Sequence, residues 1–450
     1  MNPTIFREYD IRGVAGEDFN EDDARRIGKA VGTYLKGKGK TRVAVGKDCR
    51  TTSDLYTEEV IKGLLSTGCD VTELGYCATP VLYFSIHHLG LEGGVMVTAS
   101  HNPPEYNGFK LCCGTDSIHG KEILALRDLI DAEDFARGEG TRQTIDILTP
   151  YLKELSERVT LSRPLKVGVD AGNGSAGPIA LPLLDRFDLE VHPLYCEMDG
   201  TFPNHEADPT VLANLSDLVA LVREKKLDLG IGYDGDGDRI GVVDETGSII
   251  YGDQLMVLFA REILGRKPGA TFISEVKCSQ VMYDDIRARG GNAIMWKTGH
   301  SLIKQKMKET KAELAGEMSG HIFFADRYFG YDDALYATLR LLEIVADQGK
   351  PLSSLLSDLP KTYTTPEIRR ECPDEVKFSI AGKLKDRFVA SHTVIDVDGA
   401  RVLYDDGWGL VRASNTQPAL VLRFEALSQE RLGVIRSEIE GALEEIIAAG

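Results

Sequence analysis

The strongest constraint on the fold is a change of rhythm along the chain. Between residues 42 and 347, short apolar runs of strand length alternate with longer amphipathic runs of helix length. Beyond residue 394 the strand-like runs follow one another directly. In a first unit, residues 42–46, 71–74 and 95–98 read as strands, and 54–65 as a helix with Ser53 as its N-cap. A second unit, starting near Tyr151, reads as strand 165–169, a glycine-rich turn, helix 211–225 and strand 229–233. A third, after Gly252, runs helix 253–264, strand 271–276, helix 281–289, strand 293–296 and helix 332–347, with residues 351–360 as its exit. Such alternation predicts sheets covered by helices. The last stretch, with strands at 394–396, 400–404, 409–412 and 419–425 and a helix at 429–448, predicts an α+β unit on an antiparallel sheet.

Composition narrows the function. The chain has 450 residues and a formal net charge of −18. That balance opposes a protein that wraps nucleic acid, whose footprint is basic. No apolar run reaches the length needed to span a bilayer. The opening residues, MNPTIFREYDIRG, place charges where a secretory signal needs an apolar run. These features predict a cytoplasmic protein with no membrane partner. The eight cysteines include no C-x-x-C pair, so they read as reduced, buried thiols rather than a zinc or disulfide framework.

Four loops carry chemistry. Asp234-Gly235-Asp236-Gly237-Asp238-Arg239 follows an apolar strand and spaces three carboxylates with glycines, which lets them converge on one hard cation. Counting from Asp234, Glu245 falls at the twelfth position of a calcium-binding EF-hand loop, but Arg239 stands where that loop needs glycine and the flanks read as strands. Thr98-Ala99-Ser100-His101-Asn102-Pro103-Pro104 places a serine after a strand, where it is expected to be exposed, with Asn107-Gly108-Phe109-Lys110 following. A phosphorylated serine there would act as a phosphoryl donor beside Lys110. Gly316-Glu317-Met318-Ser319-Gly320-His321 offers a carboxylate and a hydroxyl two residues apart, suited to adjacent sugar hydroxyls. Arg412-Ala413-Ser414-Asn415-Thr416-Gln417-Pro418 offers a guanidinium, hydroxyls and an amide to a phosphate. Each segment alone also reads as an ordinary polar turn.

A rival reading rests on Gly172-Asn173-Gly174-Ser175-Ala176-Gly177. It matches the dinucleotide fingerprint after a strand, with Glu197 and Asp199 at a suitable distance beyond. It makes an NAD-dependent dehydrogenase the alternative enzyme. A non-catalytic sugar-phosphate or calcium-binding module is the alternative outside catalysis.

Taken together and in this order, the four chemical loops and Phe6-Arg7-Glu8-Tyr9-Asp10-Ile11-Arg12-Gly13 resemble the α-D-phosphohexomutase family, most closely its bacterial phosphomannomutase/phosphoglucomutase members. The resemblance implies an α/β protein of four domains around a central cleft: 1–146, 147–250 and 251–362 of similar α/β build, and a smaller α+β domain at 363–450. It implies a phosphoserine at Ser100, and Mg2+ held by Asp234, Asp236, Asp238 and that phosphoserine. Glu317, Met318, Ser319 and Gly320 are implied to bind the sugar, and Arg412, Ala413, Ser414, Asn415 and Thr416 to clamp a phosphate. Tyr9, Arg12, His101, Lys110, Arg239, Lys277, His300 and His321 match positions around the substrate. Of these, Lys110, Arg12 and His300 are the candidates for catalysis beside Ser100. The implied substrate is a hexose phosphate, with a hexose 1,6-bisphosphate as intermediate and activator. Two departures stand out: Gln417 where the family commonly has glutamate, and Ala99 where glycine is more usual.

Overall fold

A computed structural model describes residues 1–415 and 417–448. Four sheets appear in chain order. The first runs Ile11–Val14, Tyr106–Cys113, Gly93–Val97, Arg42–Lys47, Asp70–Tyr76 and Arg142–Thr144 across its width. The second runs Ile249–Ile250, Ile240–Asp244, Leu229–Tyr233, Leu165–Asp170 and Leu189–Leu194. The third runs Asn292–Trp296, Thr271–Glu275, Leu314–Gly316 and Ile322–Phe324. The fourth is antiparallel, with Ala419–Ala426 and Gly407–Ala413 at its heart.

The first three sheets share one plan. A parallel core is extended on one side by an antiparallel strand pair, and the connection of that pair carries chemistry. Gly93–Val97 and Tyr106–Cys113 flank Ser100, Leu229–Tyr233 and Ile240–Asp244 flank the aspartates, and Leu314–Gly316 and Ile322–Phe324 flank Glu317 to His321. In the fourth sheet, Gly407–Ala413 and Ala419–Ala426 flank the Ser414 loop. All four loops thus connect an antiparallel strand pair, three of them at the same place in a mixed sheet. The strands flanking the aspartates form a hairpin rather than the two helices of an EF-hand.

The apolar clusters divide the chain into two main packed bodies. One apolar cluster joins Tyr83 and Ile147 to Leu165, Ile231, Leu255 and Leu335, so it spans the first three sheets. The C-terminal sheet has its own core, in which Ile435, Ile439 and Leu443 of the helix Gln429–Ala448 pack on Phe424 and Leu420. Its link to the third unit is narrower: Trp408 and Leu410 meet Val276. All eight cysteines are free. Among the described residues no helix is long and apolar enough to cross a membrane.

Some local expectations need correction. The helix expected at 211–225 is the 3-10 turn Leu212–Leu215 followed by the helix Ser216–Lys225. Ser53 is the first residue of the helix Ser53–Ser66 and not its cap; its hydroxyl donates to Asp48 Oδ1 at 2.6 Å. Asn107 to Lys110, read as loop, lie in the strand Tyr106–Cys113.

Candidate active site

The strand Gly93–Val97 is buried along its whole length and delivers the serine turn to the junction of the first two units. The expectation of an exposed serine is overturned: Ser100 is only 2% exposed, and its Oγ donates to Asp234 Oδ2 at 2.8 Å. Its backbone is left-handed, with φ at 52°. For a residue with a Cβ this costs on the order of 1–3 kcal/mol and persists only where the surroundings over-determine it. Here Ser100 N donates to Thr98 Oγ1 at 2.9 Å, and His101 Nδ1 lies 3.2 Å from Ser100 Oγ.

The three aspartates converge as their spacing predicts. Asp234, Asp236 and Asp238 are fully buried, with one oxygen of each within 4.8 Å of the others. Gly235 is required by packing, because a Cβ there would stand 2.4 Å from the Ser100 carbonyl oxygen. Lys110, extended from its strand, donates to Asp236 Oδ2 at 2.6 Å and also to Asp238 Oδ2. Burial and the two neighbouring carboxylates push Asp234 well above the usual carboxyl range. Burial acts the same way on Asp238, but Lys110 and His321 outweigh it and hold that carboxyl well below its ordinary value. Asp236 Oδ1 is buried without a hydrogen-bond partner. An all-oxygen set with excess negative charge and an orphaned oxygen fits a hard divalent cation.

The glycine-rich turn supports this loop from below. Its N–H groups are already taken: Gly172 by Asp170 Oδ1, Asn173 by the Tyr195 carbonyl, Gly174 by the Ala171 carbonyl and Ser175 by the Gly235 carbonyl. A dinucleotide pyrophosphate needs such N–H groups free. Gly174 is glycine because a Cβ there would stand 2.8 Å from the Gly235 oxygen. The motif is therefore a buttress of the aspartate loop.

The third loop meets the second through His321. Its Nδ1 lies 2.8 Å from Glu317 Oε2, and its Nε2 lies 3.2 Å from Asp238 Oδ1. Burial alone would lower this imidazole, but Asp238 and Glu317 outweigh it and raise it to about 9. Glu317 also accepts from Gly299 N at 2.8 Å, so both its oxygens are engaged. Ser319 Oγ lies 3.2 Å from His321 Nδ1. Gly320 has φ at 88°, and a Cβ there would strike the Ile240 oxygen at 2.4 Å. Met318 N donates to Glu275 Oε1 at 3.0 Å. Arg239 Nε approaches His321 Nε2 at 3.2 Å.

His300 opens the helix His300–Thr310, its ring 5.7 Å from that of His321 and 5.9 Å from that of Tyr9. Burial and Lys304 hold it well below the usual histidine range. Burial, Arg239 and Arg12 do the same to His101. Arg12 Nη1 donates to Asn102 Oδ1 at 2.6 Å and so faces the serine loop.

The fourth loop closes the ring. Asn415 Nδ2 donates to the Tyr9 hydroxyl at 2.9 Å, and that hydroxyl donates to the Thr298 carbonyl at 2.8 Å. Tyr9 thereby ties the first, third and fourth units together. Arg412 Nε pairs with Asp398 Oδ2 at 2.9 Å, and Ser414 N donates to the Ala419 carbonyl across the hairpin. Ala413 ends the strand Gly407–Ala413, and Thr416 lies outside the described residues. Lys277 Nζ sits 3.1 Å from Glu367 Oε2, while its carbonyl accepts from Arg423 of the fourth sheet.

Sequence reasoning overlooked the partners behind these groups. Asp398 and Glu367 neutralise the cations of the third and fourth units, Thr79 Oγ1 donates to Asp236 Oδ2 at 2.5 Å, and Arg50 lies under the serine turn. None stands in a segment with a legible pattern, because each acts through the fold rather than through a local motif.

Fold and site together define an α/β enzyme that brings a buried serine against a carboxylate cluster able to hold a metal ion. The chain belongs to the phosphoglucomutase/phosphomannomutase family. It matches that family's alpha/beta/alpha domain I over residues 3–137, domain II over 149–247, domain III over 251–363 and C-terminal domain over 367–442. It is 46% identical to the phosphomannomutase/phosphoglucomutase of Pseudomonas aeruginosa, over 98% of this chain and 96% of that one. It is 42% identical to a phosphoglucomutase of Neisseria meningitidis, again over 98% and 96%. A solved phosphoglucomutase/phosphomannomutase family protein from Burkholderia thailandensis superposes with a TM-score of 0.93 at 42% identity, covering 99% of this chain and 98% of that one.

Proposed function

We propose that this enzyme moves a phosphoryl group between the 1- and 6-positions of a hexose phosphate, glucose or mannose, through a phosphoserine at Ser100 and a hexose 1,6-bisphosphate. The observation that carries the reading is the hydrogen bond from Ser100 Oγ to Asp234 Oδ2, which sets the nucleophile of one unit against the carboxylate triad of another. The names of the curated relatives, which include both mannose and glucose mutases, support the substrate class.

Asp234, Asp236 and Asp238 would hold Mg2+, with a phosphoserine oxygen beside them. The ion supplies neutralising charge to the phosphoryl group when bound. In the first half-reaction the bond from phosphorus to Ser100 Oγ breaks, a bond to the sugar hydroxyl oxygen forms, and the hydroxyl proton leaves. His300, whose ring stands beside those of Tyr9 and His321, is a candidate to accept that proton. Lys110 and Arg12 offset charge on the phosphoryl oxygens, so the chain contributes mainly position and electrostatics. The bisphosphate then turns over and returns its other phosphoryl group to Ser100.

Arg412, Ser414 and Asn415, with Thr416, would clamp the non-reacting phosphate in both orientations. The fourth unit suits a mobile clamp, since it has its own core and follows the proline-bounded segment 351–366. The test is an assay of the purified protein, with and without Mg2+, on glucose 1-phosphate and mannose 1-phosphate. Formation of the 6-phosphates by the wild type, and its near loss in Ser100→Ala, is the expected result. A Ser100→Ala variant with wild-type turnover would contradict it.

A further inference from the structure

Arg50 is buried to 2% exposure directly beneath the serine turn. Its guanidinium is committed to backbone carbonyls. Nη1 donates to the carbonyls of Pro103 at 2.6 Å and Tyr106 at 2.9 Å. Nη2 donates to those of Ser100 at 2.9 Å and Asn102. Four carbonyls of one seven-residue turn thus end on one side chain. Within the turn, Tyr106 N donates to the Pro103 carbonyl at 3.1 Å, while Pro103 and Pro104 lack N–H groups and leave the segment short of donors. A guanidinium, planar with donors fanned along its edge, can reach all four, whereas an ammonium carries its donors on a single atom.

Arg50 is itself fixed from two sides. Asp48 Oδ2 lies 3.2 Å from its Nε, and Asp48 Oδ1 accepts from Arg50 N at 3.0 Å. From the second unit the Phe202 ring stacks over the guanidinium at 5.1 Å. Beside it, Gly200 approaches so closely that a Cβ would stand 2.2 Å from the Cys49 oxygen. The unit that carries the aspartates therefore also clamps the residue that holds the serine turn.

We infer that Arg50 is the positioning residue of the nucleophile turn. By gathering the carbonyls of Ser100, Asn102, Pro103 and Tyr106, it holds Ser100 left-handed and keeps its Oγ in register with Asp234. With the Ser100 carbonyl drawn toward Arg50, the trans peptide turns the His101 N–H to the opposite side, away from the guanidinium. This assignment rests on the phosphoserine reading of Ser100.

The test is Arg50→Lys, which keeps the charge and removes the fork. Turnover on glucose 1-phosphate and the 31P resonance of the Ser100 phosphate are measured together. Displacement of the nucleophile lowers kcat on the order of 10²-fold, while KM stays within about threefold because the sugar and phosphate contacts are untouched. The phosphoserine resonance shifts or broadens, which a loss of stability elsewhere would not produce. If Arg50→Lys does not fold, Phe202→Leu decides: loosening the clamp lowers kcat and moves the same resonance. Wild-type kcat and an unmoved resonance in the variant that folds overturn the inference and leave the phosphoserine reading standing. A wild type that shows no phosphoserine after treatment with glucose 1,6-bisphosphate removes both.

Discussion

Lys110 and Asp236, 126 residues apart in the chain, form a buried ion pair: Nζ lies 2.6 Å from Oδ2. The same ammonium reaches Asp238, so a lysine from the first sheet neutralises part of the carboxylate triad of the second. It competes for those oxygens with any divalent cation. Lys110→Met should therefore tighten Mg2+ binding by the unphosphorylated protein, by at least about tenfold, while lowering kcat. Calorimetric titration with Mg2+ alone reads the first effect. Weaker binding in the variant would show that Lys110 supports the cation site instead of opposing it.

Gly235 lies where the aspartate and serine loops touch. A Cβ there would stand 2.4 Å from the Ser100 carbonyl oxygen, and backbone cannot yield as a side-chain tip can. Gly235→Ala should push the two loops apart and reduce kcat on the order of 10²-fold with the fold retained. Steady-state kinetics and circular dichroism check it.

Arg412 supplies the guanidinium of the proposed clamp. It is 5% exposed and pairs with Asp398, which also accepts from Thr298 N at 3.1 Å and so keeps a partner when the arginine is removed. Arg412→Ala should raise KM roughly tenfold or more for both 1-phosphates and 6-phosphates, as loss of a charged hydrogen bond would, and should increase escape of the bisphosphate. A defect confined to one reaction direction would show separate phosphate sites.

Stability at acid pH has a local source in Asp326, fully buried among Arg266, Lys267 and Arg340. Burial would raise this carboxyl, but Arg266 and its neighbours outweigh it and lower it from 3.8 to about 2. A carboxyl lowered on folding stabilises in full above its unfolded value, and that stabilisation fades as pH falls from about 4 toward 2. Asp326→Asn should cost about 2 kcal/mol at pH 7, and the difference from wild type should shrink across that window. Urea unfolding at several pH values measures it; a pH-independent difference would assign the loss to packing.

The segments that form the candidate site were largely legible because each is local. Asp234 to Asp238, the Ser100 turn and the Arg412 loop each carry polar residues in a readable spacing, and the alternating rhythm declared the α/β units. What was not legible is what tertiary contact decides. Ser100 read as exposed because a turn after a strand normally faces water, yet the second unit covers it. Lys110 read as loop because Asn107, Gly108 and the lysine itself break the apolar pattern of its strand, which is fixed by pairing with Ile11–Val14 and Gly93–Val97 on either side. The glycine-rich turn matched a dinucleotide site because the same glycines that admit a pyrophosphate also admit another backbone, here Gly235. Arg50 had no pattern at all, since its four acceptors are carbonyls that a sequence does not display.

The central claim is that Ser100 carries the transferred phosphoryl group. It is tested most directly by treating the dephosphorylated enzyme with 32P-labelled glucose 1,6-bisphosphate, locating the label by peptide mapping, and then chasing with unlabelled glucose 1-phosphate. The account predicts label on Ser100 alone, none in Ser100→Ala, and its full transfer to sugar during the chase. Label on another residue, or label on Ser100 that the sugar phosphate does not remove, would contradict it.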